Sequence, residues 1–166
     1  LRTIIPDLRV DPRADGGGVL LRMYRDTRFS HDPSPYKTNV AGIFWAGPGK
    51  KMTHTGFGFQ LDPTGMRMMT GIFTFQPQML RAYRQAVVDD EFGAELEQAL
   101  TAIQQAGPYE IVGHHYKRVP AGFPADHPRA ALLLCNGLYA SPPPLPPESA
   151  TTPDIVDRCF VHFQQM

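Results

Sequence analysis

Between residues 40 and 74 the chain passes through three strand-like runs whose connections are too short to hold a helix. Residues 55–62 alternate, with Phe57, Phe59 and Leu61 on one face and Gly56 and Gly58 on the other, where something is expected to approach the backbone closely. Asp62-Pro63-Thr64-Gly65 is turn chemistry, and residues 66–74 read as the returning strand of a hairpin. Residues 40–46 read as a short buried strand closed by Gly47-Pro48-Gly49. Residues 19–25 also alternate and read as the first strand, separated from the second by a polar loop that contains Pro33 and Pro35. Parallel neighbours need a crossover of about a dozen residues or more. These runs therefore point to a mostly antiparallel sheet.

The pattern then changes to a helical period. Pro77 suits a first helical position, and Leu80, Tyr83 and Val87 form a stripe behind it. After a bend at Asp89-Asp90 the stripe resumes through Phe92, Leu96, Ala99, Leu100 and Ile103, and Gly107-Pro108 stops it. Residues 109–117 read as a fifth strand. Residues 130–135 are too short to assign. Residues 141–153 are rich in proline and read as a stiff connector to a last helix. The fold expected is α+β: a mainly antiparallel sheet of about five strands with helices packed on one face.

Length and charge narrow the function. A chain of 166 residues fits one domain, and 42% hydrophobic residues exclude a disordered chain. The 16 basic and 16 acidic residues cancel, so no global field collects phosphates and nucleic acid is disfavoured as a partner. Two cysteines are too few for a disulfide scaffold. No apolar run approaches the roughly 18–20 residues that cross a bilayer, and no signal peptide is evident, so a cytoplasmic, membrane-free protein is expected. The chain starts at Leu1 and stops inside an apolar-periodic stretch, so the expectation for residues 1–166 is a single domain, cut short at the N-terminus and in the last helix.

Polar chemistry is concentrated in two places. Arg25-Asp26-Thr27-Arg28-Phe29-Ser30, with Asp32 and Pro35-Tyr36-Lys37-Thr38, follows the first strand. Lys117-Arg118-Val119-Pro120, with Asp126-His127, follows the fifth. Arginine forks suit planar carboxylates or phosphates, with lysine as a point charge beside them. Arg25, Arg28, Lys37, Lys117 and Arg118 are therefore the candidate ligand-binding residues. Asp26, Tyr36 and His127 are the candidate catalytic residues, for hydrogen bonding or acid–base work. Two functions compete. In one, the two loops converge into a cleft for a small phosphorylated or carboxylated ligand, with hydrolysis or transfer as the reaction class if the protein is an enzyme. In the other, the protein is a non-catalytic interaction module, and Arg25 or Arg28 pairs with Asp26 or Asp32 in a structural network. The acids at Asp89, Asp90, Glu91, Glu95 and Glu97 read as a solvated helix face. No metal-ligand spacing, Walker A loop, G-x-G-x-x-G or G-x-S-x-G motif is present. No metal or cofactor is expected, and a set of His31, Asp32, Asp126 and His127 has no spacing to support it.

Three ordered blocks resemble a widespread family of conserved uncharacterised proteins, a domain of unknown function. They are Tyr24-Arg25-Asp26-Thr27-Arg28-Phe29-Ser30 with Pro35-Tyr36-Lys37-Thr38; Phe57-Gly58-Phe59-Gln60-Leu61; and Tyr116-Lys117-Arg118-Val119-Pro120-Ala121-Gly122-Phe123-Pro124 with Asp126-His127-Pro128. The resemblance implies a helical region ahead of the first strand, and the expectation is that this region is missing here. It implies no activity.

Overall fold

The strand-like runs from residue 40 onward do build the sheet. The structure, a computed structural model, describes residues 1–26, 28, 34–48 and 50–166. Its strands are β1 (Val40–Trp45), β2 (Gly56–Asp62), β3 (Gly65–Ile72), β4 (Glu110–His114) and β5 (Cys135–Ser141). They lie in the order β1-β2-β3-β5-β4, and every neighbouring pair is antiparallel. Helices α1 (Pro77–Val88), α2 (Asp90–Ala106), α3 (Ala130–Leu133) and α4 (Ile155–Gln165) complete an α+β architecture. No helix among the described residues is long and apolar enough to cross a membrane.

Local chemistry explains the helix boundaries. Pro77 opens α1. Asp89 ends α1 in extended geometry and caps α2, its carboxylate accepting from the N–H groups of Glu91 and Phe92. Gly107 follows the last residue of α2. The turn between β2 and β3 needs Gly65, whose φ is +135° and whose missing Cβ leaves room for the Leu145 carbonyl.

Two strand expectations change. Residues 19–25 touch β1 through the isolated bridge Leu20 to Gly42 and lie beside it without forming a regular strand. The fifth strand is supplied by Cys135–Ser141, between β3 and β4. It pairs on both sides, so tertiary contact makes a strand of a segment that is weak locally. The proline-rich connector is docked: Leu145 and Met66 exchange two backbone hydrogen bonds of 2.8 Å, and Pro147–Thr151 form a 3₁₀ turn.

The core lies between one sheet face and α4. Phe44, Phe57 and Thr70 stand opposite one another in register, and Gly42, Phe59 and Met68 form the next row. Phe163 of α4 meets Phe57 edge to face at 5.2 Å between centroids, and Leu8, Met68 and Leu145 complete the buried cluster. On the other face the close approach expected at Gly58 is made by the Phe73 ring and Met69, and Phe73 in turn packs on Tyr139.

Candidate functional site

The first charged segment folds back on itself beyond β1. Tyr24 bridges Tyr36, the Lys37 N–H donates to the Met23 carbonyl at 2.8 Å, and the Arg25 N–H donates to the Pro35 carbonyl at 3.0 Å. Residues 23–25 and 35–37 thus form a short ribbon. The Tyr24 and Tyr36 rings lie 5.1 Å apart, and their hydroxyls interact. Thr27, Phe29, Ser30, His31, Asp32 and Pro33 lie outside the described residues, and with them the expected pairing through Asp32 and the set containing His31 and Asp32.

Where this ribbon meets the turn between β2 and β3, a cleft of about 530 Å³ opens. Arg25, Lys37, Thr38 and Asn39 line it from the ribbon side, and Gln60, Asp62 and Arg67 from the hairpin. Gln60 and Arg67 are direct cross-strand partners, so alternation sends both side chains to one face. Asp62 organises this wall. It accepts from the Thr64 N–H at 2.8 Å, the Thr64 hydroxyl, the Gln60 amide at 3.2 Å and the Arg67 guanidinium at 2.8 Å. These donors, the Thr64 hydroxyl first, hold its carboxyl down at about 2. Asp62 therefore stays ionised and fixes the direction of Arg67.

The other candidates sit elsewhere or are engaged. Asp26 pairs with Arg28 at 2.6 Å on the exposed surface, and the guanidinium holds the Asp26 carboxyl below the usual carboxylate range. Lys117, Arg118 and His127 follow β4. That strand is separated from β1 by β2, β3 and β5, four strand spacings or roughly 19 Å at ~4.8 Å each. Register places them at the opposite end as well: Val40 pairs with Leu61 and Leu61 with Met66 at one end, while β4 leaves the sheet where His114 pairs with Cys135 at the other. The two charged loops occupy diagonally opposite corners and do not share a cleft. Inserting β5 between β3 and β4 produces this separation.

The second loop has structural work. The His127 ring accepts from the Arg129 N–H at 3.0 Å, and its carbonyl accepts from Ala130 at the start of α3. Arg129 reaches back to Glu97 at 2.8 Å and to the carbonyls of Val87 and Asp89 at the end of α1. Lys117 and Arg118 are exposed. Arg67, Asp62 and Gln60 were not among the expected site residues. The available signal was Arg67, the single charge in a strand otherwise read as methionine core filler.

A more enclosed cavity of about 260 Å³ lies between α4 and the sheet, among Phe44, Phe59, Met66, Cys159 and Phe163. No charged side chain lines it, and burial pushes the Cys159 thiol up, away from reactivity. The cationic side chains Arg25, Lys37 and Arg67 come together instead at the ribbon cleft.

Comparison with known proteins identifies a family. A family described as Conserved hypothetical protein (DUF2461) matches residues 2–166. The chain belongs to this family. No curated protein and no solved structure matches it. For this DUF2461 protein, chemistry has to be argued from the cleft itself.

Proposed function

We propose that the chain binds a small phosphorylated or carboxylated ligand in the cleft between the ribbon and the turn joining β2 and β3. One observation carries this reading. Arg25, Lys37 and Arg67 converge on one space, and the one carboxylate among the described lining residues, Asp62, is occupied by its own four donors. Arg67, held by Asp62 and the Thr64 hydroxyl, offers its remaining N–H groups, and Lys37 a point charge beside it, a combination that suits an oxyanion. Of the three acid–base candidates, Tyr36 adjoins the cleft. Its interaction with Tyr24 pushes its phenol above the ordinary range, so it acts as a neutral hydrogen-bond donor. The proposal is therefore binding first, and it includes a cytoplasmic setting in which the free thiols Cys135 and Cys159 stay reduced.

The test is a thermal-shift series with inorganic phosphate and citrate. A ligand at 100 times its dissociation constant adds about 2.7 kcal/mol, a clear rise in melting temperature. No rise at millimolar concentration overturns the reading.

The second reading, a non-catalytic module with a structural charge network, draws on the Asp26–Arg28 pair. It expects Lys37→Ala and Arg67→Ala to change the melting temperature equally with and without phosphate.

A further inference from the structure

The cationic cleft has an apolar neighbour. A second hollow of about 440 Å³ shares Lys37, Asn39 and Asp62 with it and is lined in addition by Met23, Tyr36 and Leu61. Alternation sends Gln60 and Arg67 to one face and Leu61 to the other, so the two hollows meet around the end of the sheet.

The exposure here is unusual for apolar side chains. Met23, Tyr24, Tyr36 and Val40 are 47%, 55%, 55% and 42% exposed, and all four sit on the ribbon or at the start of β1 beside Lys37. Elsewhere the exposed large apolar residues are scattered, as a monomer's surface normally shows. The patch is also held in place. Tyr24 braces the Tyr36 ring, and the backbone bond from Lys37 to Met23 fixes the ribbon beneath it. A braced aromatic ring beside a cation loses little freedom when a flat group stacks on it.

We infer that the anion taken by the cleft carries a flat, unsaturated ring: its phosphate or carboxylate sits by Arg25, Lys37 and Arg67, and its ring lies against Tyr36 and Met23. A ligand of nucleoside monophosphate size reaches around the sheet end, whereas inorganic phosphate leaves the apolar hollow empty. This inference rests on the anion-binding reading and adds to it a preference that the charges alone do not create. The same chemistry is offered by a free nucleotide and by a single-stranded nucleic acid. We assign the small molecule, because cations and apolar groups here occupy one corner and the other basic loop lies at the diagonally opposite corner of the sheet.

Calorimetric titration of the full chain with ribose 5-phosphate, a nucleoside 5′-monophosphate and a thymidine homo-oligonucleotide tests it. The monophosphate is expected to bind at least about fivefold more tightly than ribose 5-phosphate, since stacking of one base on an aromatic side chain is worth about 1–3 kcal/mol. Tyr36→Ala should bring the ratio of the two affinities close to one, while Tyr36→Phe, which keeps the ring, should preserve it. Equal affinities in the unaltered protein overturn the ring preference and leave the anion site standing. No binding of any probe overturns both. Oligonucleotide binding tighter than its number of sites accounts for overturns the small-molecule assignment. A Tyr36→Ala protein that fails to fold leaves the comparison to Tyr36→Phe and to Met23→Ala, which should also lower the ratio.

Discussion

At the scale of single residues, the cleft depends on how Asp62 spends its lone pairs. Four donors converge on one carboxylate, and one of them is Arg67. Replacing Arg67 by alanine removes a charge-assisted hydrogen bond to the proposed ligand, of order 1.5–3 kcal/mol, so phosphate affinity should fall at least tenfold by calorimetry. Lys37→Ala should fall by a similar factor. Asp62 also makes the hairpin sensitive to acid. Its folded pKa of about 2 lies below the unfolded value of 3.8, so its contribution is complete above pH 3.8 and is lost as pH falls through about 2. Asp62→Asn should flatten the stability profile across that window, as read by melting temperature against pH. Arg25 and Lys37 were legible in the sequence, since prolines and mixed charges crowd their segment. Arg67 was not: alternation marks it as facing outward and says nothing of what lies there.

At the scale of elements, punctuation predicts better than apolar content. Pro77, Asp89 and Gly107 bound α1 and α2 where their backbone chemistry demands. Phe92, read as part of the apolar stripe of α2, is instead 60% exposed, and Gly93 is the buried residue of that helix. Gly93 leaves room for the Arg129 guanidinium and the Val87 carbonyl. This sets up a test with opposed terms. Alanine in a helix interior gains about 1 kcal/mol over glycine. Overpacking against a backbone carbonyl costs about 1–3 kcal/mol, and the hydrogen bonds of a displaced Arg129 are lost besides. Gly93→Ala should therefore destabilise the protein in a urea titration, against helix propensity. Strand β5 was illegible for a different reason. Its pairing on both edges is a tertiary fact, and a segment beginning Cys135-Asn136-Gly137 carries little intrinsic preference for extension.

At the scale of the whole molecule, strand order decides what the site contains. Local patterns identify strands, but they do not tell that β5 enters between β3 and β4. That insertion carries one basic loop to the far corner, where its histidine ring accepts from the Arg129 N–H ahead of α3 and Arg129 ties three helices together. The core shows the same reach. Phe163, near the end of the chain, packs on Phe57 and Leu8. Phe163→Ala should cost about 3–5 kcal/mol and lower the midpoint of denaturation for the entire sheet, not α4 alone. A transition in which α4 melts separately by circular dichroism would contradict this.

The irregular stretch beside β1 has a further consequence. An open sheet exposes unpaired backbone groups along its outer strands, and such rows recruit strands from other molecules. Here the Leu21 N–H donates to Ala41, and the Val19 carbonyl accepts from Ile43, so the outer side of β1 is already engaged by a segment that bends away. The opposite outer strand, β4, is five residues long and its register breaks between Val112 and His114. Both margins are thus blunted against strand addition, which lets the molecule keep apolar side chains in the open at the ribbon corner without inviting fibrous assembly through the sheet.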